Sequence, residues 1–135
     1  MARLAGFLIS ESLFLVTLTS LEGGGAKRID AHPAVETWLR NVERNRDSFR
    51  LPLASNHSFY PDFVGELTDH RFFVVEYKGE HLRHDPGTIE KTAVGKLWAQ
   101  LSGGRCVYAT VFAHDEQGHD VQAQLDALFS ATGTL

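Results

Sequence analysis

The feature that most constrains this chain is a pair of apolar segments separated by only a few polar residues. Residues 59–67, "FYPDFVGEL", and residues 71–79, "RFFVVEYKG", are rich in the aromatic and β-branched residues that are typical of strands. The short connection around Thr68, Asp69 and His70 can join two antiparallel strands. We therefore predict that the two segments form a β-hairpin.

The second of these strands ends in charged residues, which calls for a physical reason. Side chains alternate between the two faces of a strand, so Glu76 and Lys78 share a face with Phe72 and Val74. Charged side chains are seldom fully buried unless they are paired. The end of this strand is therefore a candidate site, and the alternative is a solvated strand end with an ordinary surface ion pair.

The register of the hairpin decides which residues face Glu76. A two-residue loop at Asp69 and His70 places Asp62 opposite Tyr77, with its side chain pointing away from Glu76. A three-residue loop over 68–70 places Asp62 directly opposite Glu76. A bulge at Gly65 would have a similar effect. Asp62 and Glu76 can therefore form one site only if the loop has an odd number of residues or if the first strand contains a bulge.

The remaining segments predict a mixed α/β fold. The predicted helices are residues 33–46, 87–101 and 119–131, and the further predicted strands are residues 49–55 and 105–113. In the first helix the apolar residues at helical spacing are Val35, Trp38, Leu39 and Val42, and in the second the residues expected to face inward are Ile89, Ala93, Val94, Leu97, Trp98 and Leu101. An antiparallel hairpin joined to a helical crossover implies a mixed sheet flanked by helices.

The first thirty residues do not continue this pattern. Residues 4–9 and 12–19 are predicted to form a strand or a hairpin that turns at Ser10 and Glu11, and the "EGGGAK" stretch at 22–27 is typical of a flexible connector. The sequence contains no repeats and no domain linker. We therefore expect residues 1–135 to form one domain, with residues 1–30 as an extension and residues 31–135 as its core.

Composition sets limits on partners and compartment. The formal net charge is −4 and the pI is about 5.9, which counts against a large nucleic-acid footprint unless a local patch or a metal ion compensates. The single cysteine, Cys106, cannot form an internal disulfide, so the cytoplasm is the expected compartment. No segment reaches the roughly 18 uninterrupted apolar residues of a membrane span, so no membrane is expected.

Two facing carboxylates at the strand end would suit a divalent cation. Asp62 and Glu76 should repel each other, and one of them should have a raised pKa that Lys78 partly offsets. An oxygen-only pair open to water suits Mg²⁺, with the backbone carbonyl of Tyr77 as a plausible third ligand. Lys78 beside the ion could position or deprotonate a water molecule, or stabilise negative charge. These groups together form a coherent site for hydrolysing phosphodiesters.

The same residues resemble a known motif. "YPDF…VVEYKGE" resembles the PD-(D/E)xK motif of the restriction-endonuclease-like nuclease superfamily. The run from about Trp38 to Tyr108 is similar to the C-terminal nuclease domain of type III restriction-enzyme Res subunits. The segments that carry this resemblance are "WLRNVERN…FRLP", "FYPDFVGELTDHRFFVVEYKGEHL" and "EKTAVGKLWAQLSGGRCVY".

The resemblance implies a fold, an activity and a set of site residues. The fold is the superfamily's αβββαβ core, a mixed sheet flanked by helices. The activity is cleavage of DNA that depends on Mg²⁺ or Mn²⁺, with catalytic roles for Asp62, Glu76 and Lys78. Many members add a glutamate from the first core helix, for which Glu36 and Glu43 are candidates. Glu36 is favoured because the family's acid tends to lie early in that helix.

The chain departs from these relatives in one large respect. Res subunits carry a helicase motor, whereas this sequence contains no G-x-x-x-x-G-K-[ST] phosphate-binding loop. Helicase or methyltransferase subunits are therefore candidate partners, besides DNA itself. The alternatives are a catalytically silent nucleic-acid-binding or assembly module with the same fold, and a nuclease that acts only within a helicase complex. Double-strand cleavage by a single-site domain would favour a homodimer.

Basic residues supply candidates for contacts with nucleic acid. Lys91 and Lys96 on the second predicted helix could reach a phosphate backbone. The arginines at positions 40, 44, 46 and 50 give a locally basic edge that could track phosphates, with Arg40 and Arg44 as the named candidates. Acidic residues are interspersed among these arginines, so a solvated face is the alternative.

Overall fold

The computed structural model describes residues 2–4, 7–9 and 20–131, and it is a mixed α/β structure. The helices are α1 (Ser20–Ala31), α2 (Pro86–Leu101) and α3 (Val121–Ser130). The strands are β1 (Ala2–Leu4), β2 (Phe7–Ile9), β3 (Val35–Arg40), β4 (Leu51–Pro52), β5 (Ser58–Phe59), β6 (Phe63–Leu67), β7 (Phe72–Tyr77) and β8 (Cys106–Val111). Short 3₁₀ helices cover 54–56 and 80–82.

A four-stranded sheet in the order β3-β6-β7-β8 forms the framework. The first three strands are antiparallel, and β8 runs parallel to β7. Helix α2 lies in the connection between the two parallel strands, as parallel pairing requires a long crossover. The predicted mixed sheet with flanking helices is therefore confirmed at the level of fold class.

The sheet separates two apolar layers, because alternate side chains of β7 point to opposite faces. Phe73, Val75 and Tyr77 pack with α1 and α3 in one layer, which includes Ile29 of α1 and Phe129 of α3. Val74 packs in the other layer, whose members also include Leu39, Phe49, Leu51, Phe59, Val64 and Tyr108, with Val94 and Trp98 of α2 against them. The buried aromatic rings make edge-to-face contacts, among them Phe49 with Trp98 at 5.2 Å.

The predicted hairpin is confirmed for β6 and β7, and it adopts the three-residue loop. Its first strand begins at Phe63 rather than at residue 59, because Ser58–Phe59 form β5, which pairs with β4. Phe63 pairs with Val75 and Val64 with Val74. Beyond the ladder, the Leu67 N–H donates to the Arg71 carbonyl at 2.7 Å, which leaves residues 68–70 as the loop. His70 has a φ of 71°, the left-handed conformation that closes three-residue hairpin loops.

The prediction of a flexible connector at 22–27 is wrong, because these residues belong to helix α1. Three glycines in a row normally weaken a helix, by about 1 kcal/mol each relative to alanine. Here Ala26 and Ile29 are buried in the core, and Gly25 lies directly against the Tyr77 ring. Tertiary packing of this face thus outweighs the low helix propensity. Because α1 contributes to the core, the expected boundary at residues 30 and 31 falls at the end of a packed helix.

Strand β3 replaces the first predicted helix, so the prediction of a helix over 33–46 is wrong. A bulge between Val35 and Thr37 shifts the register of β3 against β6. As a result Val35 and Trp38 pack against the same core layer, although strict alternation would place them on opposite faces. This i, i+3 spacing of apolar residues on one side is what made the segment resemble a helix.

The later predicted elements are confirmed to within about two residues. Helix α2 begins after Asp85, whose side chain accepts from the N–H groups of Gly87 and Thr88, and α3 begins after Asp120, which caps it in the same way. The inward face predicted for α2 is partly wrong. Val94 and Trp98 pack against the core, whereas Ile89, Leu97 and Leu101 are more than half exposed.

The predictions for two shorter segments are only partly met. The expected strand at 49–55 contains β4, which pairs with β5 in a small separate hairpin. The expected strand at 4–9 is divided between β1 and β2, which pair with each other in an antiparallel ladder. The expected strand at 12–19 lies outside the described residues. Within the part of the chain that the structure describes, no helix is both long and apolar enough to cross a bilayer.

Two glycines of α1 provide a matched test of this packing. A Cβ added at Gly25 would lie 2.5 Å from the Tyr77 ring, whereas one added at Gly24 meets no atom within 4 Å. We expect Gly25→Ala to lower the free energy of unfolding by about 1–3 kcal/mol through overpacking. Gly24→Ala should instead raise it by about 1 kcal/mol, because only helix propensity changes. Urea denaturation measures both, and equal effects of the two substitutions would contradict the placement of α1.

Candidate active site

A row of four polar side chains crosses the sheet where its antiparallel pairing ends. The four residues are Asn41, Asp62, Glu76 and Thr110. If the pairing of β6 with β3 and with β7 is continued by one residue, Asp62 lies between Asn41 and Glu76, and Glu76 in turn pairs with Thr110 on β8. The Asn41 N–H donates to the Asp62 carbonyl at 2.7 Å, which fixes the first of these neighbours. All four residues lie on the α2 side of the sheet, beyond Leu39, Val64, Val74 and Tyr108 of the apolar layer.

Asp62 and Glu76 are held together by bonds between side chains and backbone. The Asp62 N–H donates to Glu76 Oε1 at 3.1 Å, and the Tyr77 N–H donates to Asp62 Oδ2 at 2.8 Å. Of the registers left open by the sequence, the structure therefore adopts the one in which the two carboxylates face each other. Lys78 lies on the same face, with Nζ 3.4 Å from Glu76 Oε2.

The carboxyl group of Glu76 is nearly inaccessible to solvent. The residue is 5% exposed, and this burial raises its pKa above the ordinary value of 4.5. The positive charges of Lys78 and Lys91 and a hydrogen bond with the Asp62 side chain act in the opposite direction. The predicted raised pKa is thus confirmed for Glu76, but its main cause is burial rather than repulsion by Asp62.

These residues line a cleft of about 500 Å³. Its walls are formed by Arg40, Asn41, Glu43, Ser58, Tyr60, Asp62, Glu76, Tyr77, Lys78 and Lys91. Lys91 reaches the cleft from α2, with Nζ 5.5 Å from the centre of the Phe59 ring. A larger groove of about 730 Å³ lies between α2, β8 and α3 and contains Lys96, but it does not include the carboxylate pair.

The backbone carbonyl of Tyr77 occupies an unusual position in the ladder. Hydrogen-bonded pairs alternate along an antiparallel ladder, and the Leu67 N–H donates to the Arg71 carbonyl. The same alternation makes Pro61 the partner of Tyr77. Proline has no N–H to donate to the Tyr77 carbonyl, and the Tyr77 N–H is taken by Asp62. Pro61 therefore ends the pairing next to the carboxylates.

The Tyr77 side chain points to the opposite face and anchors the strand. Its hydroxyl donates to the Gly25 carbonyl at 3.4 Å, and its ring contacts Phe63 edge to face. Burial raises the pKa of Tyr77 to about 12. The phenol is thus a structural group in α1 packing, while the backbone of the same residue borders the cleft.

The structure brings together some of the predicted site residues and separates others. Asp62, Glu76, Lys78, Arg40 and Lys91 border one cleft, as does Glu43. Arg44 is exposed on the loop after β3, with a φ of 59°, and Lys96 lies in the other groove.

Glu36 does not fulfil its predicted role. It is exposed on β3 rather than on a helix, so its proposed place as an early helix acid is wrong. It lies five residues before Asn41, the neighbour of Asp62, which amounts to about 16 Å along an extended strand. Glu43 follows β3 in a loop, so it is not a helix residue either.

Asn41 is the principal site residue that the sequence did not reveal. It is 4% exposed, and its side chain both accepts from the Phe49 N–H at 3.0 Å and donates to the Phe49 carbonyl at 2.8 Å. The assignment of its segment to a helix concealed its position beside Asp62. A strand assignment would have placed Asn41 on the same face as Leu39, two residues earlier, and so at the polar end of the apolar layer.

The donor set can be compared with the needs of a metal ion. Among the residues that the structure describes, no group of three His, Cys, Asp or Glu side chains is arranged to hold a metal. Mg²⁺, however, is commonly bound by one or two carboxylates and keeps several waters. Asp62 and Glu76, with the Tyr77 carbonyl beside them, fit that kind of site.

Comparison of this chain with protein-family models, with curated proteins and with solved structures finds no match. Its function must therefore be inferred from the geometry and charge of the cleft.

The buried Glu76 carboxylate predicts a pH dependence of stability in the metal-free protein. Because its folded pKa is raised, the folded state binds this proton more tightly than the unfolded state. Stability from this group is present below pH 4.5 and is lost as the pH rises through the folded pKa. The free energy of unfolding of Glu76→Gln should therefore increase relative to wild type between pH 4 and pH 7. Urea unfolding in EDTA measures this difference. A free energy of unfolding that increases for wild type relative to Glu76→Gln as the pH rises would contradict the assignment.

Proposed function

We propose that this chain is a Mg²⁺-dependent nuclease that hydrolyses DNA phosphodiester bonds. The observation that carries the proposal is the facing arrangement of Asp62 and Glu76 at a strand end, with Lys78 3.4 Å from Glu76. This is the constellation that the resemblance to the PD-(D/E)xK motif requires. The carboxylates supply hard oxygen ligands, and the lysine supplies a positive charge and an amine that can orient water.

The order of the elements supports a restriction-endonuclease-like fold. From α1 onward the main elements are a helix, three antiparallel strands, a helix and a parallel strand, namely α1, β3, β6, β7, α2 and β8. This order corresponds to the αβββαβ core of the superfamily. The helix that sequence periodicity placed at 33–46 is thus replaced by α1, and the first core strand becomes β3.

Asp62, Glu76 and the Tyr77 carbonyl would hold the metal ion. Mg²⁺ or Mn²⁺ at this position would supply Lewis-acid stabilisation of the phosphate and a lowered pKa for attacking water. The chain's own groups prepare the site in two ways. The Tyr77 N–H fixes the orientation of the Asp62 carboxylate, and the burial of Glu76 makes its ionised form depend on nearby positive charge.

Lys78 is the candidate catalytic base or electrostatic stabiliser. Its side chain is about one-fifth exposed, so Nζ borders the cleft while its pairing with Glu76 limits its motion. In that position the amine can orient or deprotonate the attacking water, or stabilise negative charge that develops on the phosphate. A lysine at a wet strand end contributes little to packing, so its loss should leave the fold intact.

Lys91 and Arg40 are the best-placed candidates for binding the substrate. Both line the cleft that contains the carboxylates. Lys91 also lies over the Phe59 ring, which holds the ammonium near Glu76. Lys96 is on the same helix but borders the separate groove along β8. Lys91 is therefore the better candidate for a phosphate contact.

A catalytically silent nucleic-acid-binding or assembly module is the second candidate. It is favoured by the completeness of the polar contacts around Glu76 in the protein alone. That carboxylate accepts from the Asp62 N–H, pairs with Lys78 and needs no metal to be hydrogen-bonded. Binding of metal separates the two candidates, because a silent module has no need of it.

The proposed nuclease implies partners beyond its substrate. Helicase and methyltransferase subunits are the partners that we propose, on the basis of the resemblance to type III Res subunits. Cleavage of both strands of a duplex would use two copies of the single site, as in a homodimer. The cytoplasm stays the predicted compartment on the basis of the single cysteine.

Nicking of supercoiled plasmid tests the activity. Wild type should nick the plasmid in Mg²⁺ or Mn²⁺ and not in EDTA. Lys78→Ala should reduce the rate by about 10²- to 10⁴-fold while folding and metal binding stay nearly intact. Asp62→Ala should abolish both nicking and metal binding, because it removes a ligand. Lys27→Ala, which removes an exposed charge of α1, serves as the control with an unchanged rate.

One pattern of results would refute the proposal. If Lys78→Ala unfolds the protein, and Asp62→Ala leaves metal binding unchanged, the "EYK" segment is a structural ion-pair site. Equal nicking by wild type and Lys78→Ala would indicate a contaminating nuclease.

A further inference from the structure

The loop between β3 and β4 is fixed to the candidate site by one buried amide. Asn41, next to Asp62 in the polar row, makes two hydrogen bonds with the backbone of Phe49. Phe49 is completely buried and packs on Trp98. The two ends of the segment 42–48 are therefore joined at the edge of the cleft, and the segment projects from it as a closed loop.

Internal hydrogen bonds give this loop a defined shape. The Asn45 side chain accepts from the Asp47 N–H at 3.0 Å, and the Ser48 N–H donates to the Asn45 carbonyl at 3.0 Å. This asparagine turn forms the tip of the loop, and Arg44 precedes it in the left-handed conformation. A loop with a fixed tip presents its side chains at a lower entropy cost than a disordered segment would.

The loop and its base carry three exposed arginines. Arg44, Arg46 and Arg50 are all exposed, and the Arg46 side chain is 94% exposed. Two carboxylates accompany them. Glu43 lines the cleft itself, and the half-buried Asp47 lies 3.9 Å from the exposed Arg46 side chain. In a chain with a net charge of −4, this concentration of arginine beside the cleft is a local reversal of charge.

Chain geometry keeps these arginines near the mouth of the cleft. The Cα of Arg44 lies three residues from Asn41, at most about 11 Å along the chain. Arg50 directly follows Phe49, whose backbone is bonded to Asn41. Arg40 and Lys91 in the cleft extend the positive surface toward Asp62 and Glu76.

We infer that the loop of residues 42–50 binds the phosphate backbone of the nucleic acid whose cleavage is proposed above, with Arg44, Arg46 and Arg50 as the contacting groups. The inference rests on the proposed function for the identity of the partner. It does not require that the chain cleave its partner. Guanidinium groups on an ordered loop suit phosphates because they present paired donors in a rigid plane. Asn41 acts as a positioning residue that couples the loop to the site.

Fluorescence anisotropy with labelled duplex DNA in EDTA tests the inference without any cleavage. Arg46→Ala combined with Arg50→Ala should weaken binding by roughly 10- to 100-fold near 0.1 M salt. It should also reduce the slope of log K against log salt by about 2. Replacing both arginines by lysine should largely preserve that slope, because the charge is kept. The control combines Lys27→Ala with Arg105→Ala, two exposed cations away from the cleft, and should change neither quantity.

Several results would overturn the inference. The first is that the Arg46→Ala, Arg50→Ala double variant binds DNA like wild type. The second is that the Lys27→Ala, Arg105→Ala control loses as much affinity as the loop variant. The third is that wild type does not bind DNA in EDTA. Failure of the nuclease proposal has a different signature. A protein that binds DNA through this loop but does not nick plasmid in Mg²⁺ would be the silent module, and the role of the loop would stand.

Discussion

The register of the β6–β7 hairpin is the constraint on which the rest of the site depends. A loop of three residues, closed by His70 in the left-handed conformation, sets Asp62 opposite Glu76 rather than opposite Tyr77. A slip of one residue would turn Asp62 to the other face of the sheet and bury it in the layer of α1 and α3. Pro61 then ends the pairing, so that the two carboxylates and the Tyr77 carbonyl meet beside the cleft. Fold and chemistry are thus specified by the same short turn.

The energetics of Glu76 distinguish this strand end from ordinary protein surface. Burial disfavours its ionised form, and Lys78, Lys91 and the hydrogen bond with the Asp62 side chain act against that cost. Replacing one of these partners raises the pKa of Glu76 further, so that the carboxyl group becomes protonated rather than ionised. A divalent cation between the carboxylates would neutralise both at once. The loop of residues 42–50 adds exposed arginines beside this acidic site, which would suit the polyanionic substrate that we propose.

The strand pair and its charged end could be predicted from residue types and alternation, but the register could not. The difference between a two- and a three-residue loop depends on the backbone conformation of His70, which no residue pattern specifies. The segment 35–40 was misassigned because a bulge places Val35 and Trp38 on one side at helix-like spacing. Helix α1 was missed because its glycines indicate a linker, whereas Gly25 is required for close approach to Tyr77. The assignment of residues 35–40 to a helix also concealed the position of Asn41 beside Asp62.

Thermal denaturation with and without Mg²⁺ tests the central claim, that Asp62 and Glu76 form a divalent metal site. A ligand that binds only the folded state stabilises it by mass action, by about 2.7 kcal/mol at 100 times its Kd. Wild type should therefore melt at a higher temperature in millimolar MgCl₂ or MnCl₂ than in NaCl of equal ionic strength. Asp62→Ala should show no such increase. Identical melting temperatures of wild type in all three salts, or an equal increase for wild type and Asp62→Ala, would contradict the account.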